Sequence, residues 1–365
     1  MRFYTVFPEF KNIHIKKDVG MIPILLHSLK GYDSTIVCYE NEMNYNKEQL
    51  KGTKLITVPK EKDDTKDFLK FIIKNAKNID VLNLYHVTSP RNFKWMLAYK
   101  LLNPKGKIYL KLDADHNINI YKYHQKSFKQ KFKNYILKNC DLITVENEKI
   151  QKLIENDWNI KVDYLPNGFY DDGNKVTSFE SKDNVLLSVG RIGAYQKATD
   201  ILLEAFVKAS EYINGWRLKL VGPVDEDFNG YLNNFFISYP QMKDKIDLVG
   251  NVENEDELVK YYNEAKIFCL TSRYESFGLV FVEAEMHGCF IITSDHEAST
   301  TIVKDEKVGR IVGIEDIEDT AKAIIEICNN KDLGQKDFQY ISEYAYKNFY
   351  WPQIIHELHR LLMKN

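Results

Sequence analysis

Short apolar runs alternate with longer segments of helical period along the whole chain. In the first half, strand-like runs fall at 3–7, 35–39, 55–58, 81–85, 107–112, 142–145 and 161–165. Helical periodicity covers 21–30, 65–77, 92–102, 127–139 and 148–156. Pro166-Asn167-Gly168 closes that half, and a polar segment from Asp171 to Asp183 predicts a linker. The pattern then restarts, with strands at 185–189, 217–221, 246–249, 267–270, 290–293 and 308–312. Its helices fall at 198–212, 228–239, 255–265, 277–286, 319–329, 334–348 and 351–363. Strands alternating with helices predict βαβ units on a parallel sheet. Two such halves predict two α/β domains facing a cleft, and ligands of such sheets bind beyond the carboxyl ends of the strands.

The stretch from Ser272 to Asp295, SRYESFGLVFVEAEMHGCFIITSD, is the most informative. A loop, 272–276, precedes a segment that is apolar almost all round, which predicts a buried helix. Gly288 supplies its C-terminal stop. Yet the segment carries Glu283 and Glu285, and Glu275 lies just before it. A buried carboxylate costs several kcal/mol unless something pairs with it. A helix starting near Phe277 would aim the N–H groups of Phe277, Gly278 and Leu279 at whatever lies in front of it, and such a tip is an anion site. Glu283 would lie ~9 Å deeper, at ~1.5 Å per residue. A diphosphate at the tip, sugar hydroxyls on Glu275 and ribose hydroxyls on Glu283 fit this pattern. An ordinary buried βαβ unit with solvated glutamates is the competing reading.

A second motif, SVGRIGAYQKATDILLEAF, runs from Ser188 to Phe206. A strand ends at Gly190 and is followed by Arg191, a short loop, Lys197 and a helix. Two cations from one loop suit a diphosphate leaving group, on which charge develops as the sugar bond breaks. A solvated Arg and Lys on a surface loop is the alternative.

Together, E-x7-E, the ESFGL opening and the G-R…K…D-x-L-L-x-A-F string resemble retaining glycosyltransferases of the GT-B fold, in particular glycosyltransferase family 4. The resemblance spans nearly the whole chain. It implies an N-terminal acceptor-binding Rossmann-like domain over 1–168 and a linker over 169–183. It also implies a nucleotide-sugar-binding domain over 184–348 and a C-terminal helix, 349–365, packing back on the first domain. It implies donor contacts from Gly190, Ser276, Phe277, Gly278, Leu279 and Glu283, and from backbone near Asn251 and Val252, with Arg191, Lys197 and Glu275 at the reacting diphosphate and sugar. The implied reaction moves a sugar from a nucleoside diphosphate, UDP favoured, to a glycan or lipid-linked acceptor of the bacterial cell surface. No cofactor or metal is expected. A non-catalytic subunit of the same fold is the rival.

The chain departs from the family in three places. Ala198 stands where the family has Gly. Asp295-His296-Glu297 replaces a Gly-Gly pair, and reads equally as a specificity loop or a capped turn. Lys17-Asp18-Val19-Gly20 stands in place of a Gly-rich loop, leaving Gly20 as its candidate phosphate contact. His86 and Asp113-Ala114-Asp115-His116 end two apolar strands, and the resemblance points to Asp113 and His116 as groups touching the sugar or acceptor. Capping and turn duty accounts for them as well.

Asp113-x-Asp115 also invites a metal-binding reading, since two carboxylates can hold a divalent ion on a diphosphate. Such a pair recurs by chance, as Asp225-Glu226-Asp227 illustrates, and cations already serve the diphosphate. No G-x-G-x-x-G follows any strand, which argues against a nicotinamide enzyme.

Charge changes the picture of the first half. Residues 1–170 hold 29 Lys+Arg against 19 Asp+Glu, and residues 171–365 hold 21 against 33. The basic half favours an anionic surface. The stretch that opens at Tyr121 and closes at Lys138 places Lys126, Lys129, Lys131, Lys133 and Lys138 around Phe128, Phe132, Tyr135 and Ile136. A basic amphipathic helix suits an anionic membrane. A core-packed helix with a solvated lysine face is the other reading. Nucleic acid is not expected, because no base-reading module is present. The five scattered cysteines read as reduced thiols. No long apolar run or leader-like segment stands out, so a cytoplasmic protein, at most at the inner membrane face, is expected.

Overall fold

The computed structural model describes residues 1–40, 48–86, 89–114, 118, 123–171, 173 and 178–364. The chain divides into two compact units, Met1–Tyr170 with Phe349–Asn365, and Asp171–Asn348. Unit 1 contains β1 (Arg2–Val6), α1 (Asp18–Lys30), β2 (Asp33–Tyr39), β3 (Lys54–Val58), α2 (Asp64–Asn75), β4 (Val81–Tyr85), α3 (Pro90–Leu102), β5 (Lys107–Lys111), α4 (Phe128–Lys138), β6 (Leu142–Val145), α5 (Glu148–Trp158) and β7 (Asp163–Tyr164). Its sheet has the order β3-β2-β1-β4-β5-β6-β7, and every pairing is parallel.

Parallel strands need crossover helices on both faces, and the core accordingly falls into two layers. Phe68 and Ile72 of α2, Trp95 and Tyr99 of α3, Ile136 and Leu137 of α4, and Ile150 and Ile154 of α5 pack on one face. On the other face lie Ile22 and Leu25 of α1, with Trp351, Ile355 and Leu358 from the end of the chain. Those last residues belong to a terminal helix, Trp351–Lys364, that belongs to unit 1. It is held there by hydrogen bonds from Trp351 N–H to Phe169 O (3.0 Å) and from Lys107 Nζ to Leu362 O (2.7 Å).

Unit 2 contains β8 (Asp183–Val189), α6 (Thr199–Ala209), β9 (Arg217–Val221), α7 (Asn229–Ser238), β10 (Ile246–Gly250), α8 (Glu255–Glu264), β11 (Ala265–Leu270), α9 (Leu279–Met286), β12 (Phe290–Ser294), α10 (Ser299–Ile302), β13 (Gly309–Val312), α11 (Ile317–Cys328) and α12 (Gln335–Phe349); the terminal helix is then α13. Its parallel sheet has the order β10-β9-β8-β11-β12-β13. The expected strands and helices are all present, with shifted ends. The run at 161–165 pairs only over Asp163–Tyr164. The helix expected from Phe277 begins at Leu279, because Gly278 takes a left-handed conformation (φ 82°) that ends the loop. Short α10 was not expected.

Gly288 meets two demands. Its φ is 69°, and a Cβ there would lie 2.1 Å from the Phe338 ring, so the turn after α9 and the seat of α12 both require it.

Candidate functional site

Three neighbouring strands of unit 2 end in the same dipeptide: Val189-Gly190, Val221-Gly222 and Val249-Gly250. Gly190 N–H donates to Val221 O (2.9 Å) and Gly222 N–H to Gly250 O (2.8 Å). A Cβ on Gly222 would lie 1.9 Å from Gly190 O, so only glycine lets these backbones meet. The carboxyl end of the sheet is therefore bare backbone, where a ligand can approach closely. Gly222 and Gly250 were overlooked as site residues, although the repeated Val-Gly was readable.

Beside this bare edge, the loop after β8 carries the Lys197 stem over Gly190, 3.4 Å from where its Cβ would be. Lys197 Nζ donates to Glu275 Oε1 at 2.5 Å. Glu275 is buried, and also accepts from Ser272 Oγ (2.8 Å) and Gln196 Nε2 (3.3 Å). Two backbone-anchored links, Arg273 N–H to Gln196 O (2.8 Å) and Thr271 Oγ1 to Ala198 O (3.0 Å), join the two loops. Ala198 is left-handed (φ 48°) at the start of α6, a conformation for which glycine is the unstrained residue. The Glu275 carboxyl carbon lies 3.8 Å from the Cβ position of Gly278, the cap of α9. The cation of one loop, the carboxylate of the other and the tip of α9 are thus brought together.

The other expected donor contacts are placed as follows. Arg191 is exposed, with no side-chain partner among the described residues. Phe277 is buried, and Ser276 and Leu279 are half-buried around the α9 tip. Glu283 lies in α9 and accepts from the Tyr262 hydroxyl (2.9 Å), which fixes its carboxylate. Asn251, exposed, donates to Glu253 (3.3 Å), and Val252 is half-buried; both follow β10.

His296 has a structural role in the loop after β12. It is 2 % exposed, its Nδ1 accepts from Ala298 N–H (3.2 Å), and its Nε2 faces Thr293 Oγ1 (3.0 Å). It is a turn-capping residue leading into α10; only Asp295 of that loop is exposed.

In unit 1, Gly20 lies inside the first turn of α1, not in a loop. A Cβ there would lie 2.3 Å from Ile15 O, so close backbone packing accounts for the glycine. A charged cluster that the sequence reading missed occupies the carboxyl end of this sheet. Lys111, fully buried, lies 3.8 Å from Glu146 and 4.0 Å from Asp18. Burial pushes Glu146 up to about 8 and Asp18 up to about 6, although Lys111 opposes both shifts. Glu146 also accepts from Ala114 N–H, which ties down the loop after β5. Next in that loop, Asp113 (φ 45°) approaches His86 (φ 64°) at 3.9 Å, and both side chains are partly exposed. Two left-handed non-glycine residues at neighbouring strand ends mark a locally strained edge. The signal was a charge within each of two apolar runs, IYLKL and LITVE. His116 and Asp115 lie outside the described residues. No group of three His, Cys, Asp or Glu able to hold a metal occurs among the described residues.

Known proteins share this fold. The fold is that of the GT-B class, two Rossmann-like parallel-sheet domains. It is similar over 100% of this chain, with TM-score 0.74 and 13% identity, to Anabaena Alr3699/HepE in complex with UDP, covering 100% of that chain. Residues 171–348, the whole of unit 2, match the family model described as glycosyl transferases group 1. Among curated relatives, an uncharacterized glycosyltransferase of Haemophilus influenzae is 29% identical over 161 residues, 44% of this chain and 43% of that protein. The mannosylfructose-phosphate synthase of Agrobacterium fabrum is 26% identical over 266 residues, 62% and 56% respectively. The chain thus covers less than two thirds of the length of each of these two relatives.

Proposed function

We propose that this chain is a retaining glycosyltransferase that uses a nucleoside-diphosphate sugar, with UDP the favoured nucleotide. The observation that carries the reading is the Lys197–Glu275 pair (2.5 Å) beside the α9 tip and the glycine edge of β8. Cation, helix tip and bare backbone are what a diphosphate needs. Glu275, held by three donors, keeps its oxygens oriented toward sugar hydroxyls. Lys197 and Arg191 stabilise the charge that grows on the β-phosphate, and Glu283 takes the ribose. Backbone at Asn251 and Val252 takes the base. The match of unit 2 to a glycosyl transferase family and the UDP named with the Anabaena structure support the nucleotide.

The acceptor hydroxyl attacks the anomeric carbon on the face from which the diphosphate departs. The carbon–oxygen bond to the β-phosphate breaks, and the departing oxygen takes the acceptor proton. Asp113 and His116 of unit 1 are the groups offered to the acceptor, a glycan or lipid-linked sugar of bacterial surface polymers or glycoconjugates. Neither cofactor nor metal is required.

Calorimetric titration with UDP, GDP and ADP tests the reading, on wild type and on the Arg191→Ala/Lys197→Ala variant. Binding of one nucleotide, lost in the variant, is expected; a folded wild type that binds none of the three refutes the donor site.

A further inference from the structure

The helix α4 divides its apolar residues between two faces. Ile136 and Leu137 enter the core of unit 1, together with buried Gln130. Phe128, Phe132 and Tyr135 do not: they are 87%, 42% and 65% exposed. At ~100° per residue these three fall within an arc of roughly 60°. Lys131 and Lys138 border the arc on one side and Lys129 on the other, all exposed. Lys126, just before the helix, is exposed as well. None of these four lysines forms an ion pair among the described residues.

The neighbouring helix extends the surface. Both α3 and α4 are crossovers that step the same way along β4-β5-β6, so they cover the same side of the sheet. Outward on α3 are Leu97, Leu101 (71% exposed) and Lys94. Together α3 and α4 hold seven Lys+Arg and no Asp or Glu. Three exposed aromatic rings on one ridge are too many for an idle solvated face. Rings flanked by unpaired lysines match an anionic interface, where rings sit at headgroup depth and lysines meet lipid phosphates.

We propose that the outer face of α4, with the adjoining face of α3, docks on an anionic lipid bilayer. The charge selects the occupant: Lys94, Lys126, Lys129, Lys131 and Lys138 are exposed and neither helix carries an acid to oppose them, which suits a surface of phosphates, whereas Arg91 and Lys100 are already paired with Asp64 and Asp141. The docking does not depend on the donor reading, because the vesicles that test it carry no sugar nucleotide.

The test is co-sedimentation of the full chain with phosphatidylcholine vesicles, with and without phosphatidylglycerol. Binding only to the phosphatidylglycerol vesicles, weakening as salt rises, is expected. Lys129→Gln/Lys131→Gln/Lys138→Gln should weaken it by about fivefold per lysine, on the order of 100-fold together. Phe128→Ser/Phe132→Ser/Tyr135→Ser should weaken it while leaving its salt dependence in place. All six positions are exposed, apart from the stems against the helix. Unchanged far-UV circular dichroism and an unchanged urea-unfolding midpoint confirm that the variants are folded. Absence of wild-type binding, equal binding to both vesicle types, or binding that survives both triple variants overturns the proposal; the first of these leaves the ridge as a contact for another protein.

Discussion

Glu285 should make this protein less stable than it could be, increasingly so as pH rises. Its side chain is fully buried in α9, and neither carboxyl oxygen has a hydrogen-bond partner among the described residues. Burial raises its pKa well above the usual carboxyl range. A buried polar group with no partner costs about 1–3 kcal/mol. Titration adds to this. Between the unfolded value, about 4.3, and the raised folded value, the folded state binds the extra proton. Stability is therefore full below the unfolded value and falls by about 1.4 kcal/mol per pH unit across that window. Glu285→Met keeps an unbranched chain of similar length and removes both costs. It should stabilise by about 1–3 kcal/mol from the hydrogen-bonding term, with the gain growing from pH 5 to pH 8. For a unit of this size each kcal/mol corresponds to about 2–4 °C in melting temperature. Urea and thermal unfolding of wild type, Glu285→Met and Glu285→Gln at several pH values measure it. The Gln variant should lose the pH-dependent part and keep the cost of unmade bonds. A Met variant less stable than wild type at pH 7, or a gap that does not change with pH, would refute the reasoning.

Other outcomes follow from the same kind of argument. Lys111→Met should destabilise unit 1 by about 3–5 kcal/mol, since it strands two buried carboxyls. Because Glu146 and Asp18 are already raised and lose the cation that most opposes those shifts, the loss should be greater at pH 8 than at pH 5, and adding Glu146→Gln should recover part of it; urea unfolding at the two pH values reads this. Gly222→Ala would place a methyl 1.9 Å from Gly190 O, which is backbone and cannot swing away. It should cost at least about 1–3 kcal/mol and weaken UDP binding in the same titration, by pushing the β8 and β9 edges apart.

Much of the candidate donor site was legible in advance because it is local. Arg191 and Lys197 share one loop, and Glu275 lies three residues before the cap of α9, so spacing along the chain described each loop; that Lys197 meets Glu275 depended on β8 and β11 being neighbours. Ser272 and Gln196, which orient Glu275, were less visible: a hydroxyl and an amide carry no charge to stand out. The reverse holds for Lys111 and Glu146, whose charges within apolar runs were in plain view. Their meaning depended on β5 and β6 being neighbours. Gly20 was ambiguous for a similar reason, since a glycine demanded by the nearby His14 and Ile15 carbonyls looks in sequence like one demanded by a phosphate.

The sequence by itself determined the order of strands and helices, the two-unit plan and the charge carried by the two loops of the candidate site. Period, caps and loop charge are properties of neighbours along the chain. Tertiary structure decided which face each residue occupies. It turned Phe128, Phe132 and Tyr135 outward while Ile136 and Leu137 went in, buried His296 as a cap, and left Glu285 without a hydrogen-bond partner among the described residues. Amphipathic spacing says that two faces differ. Only the packing of α3, α4 and the sheet, which sets how much apolar surface the core can hold, says which of them meets water.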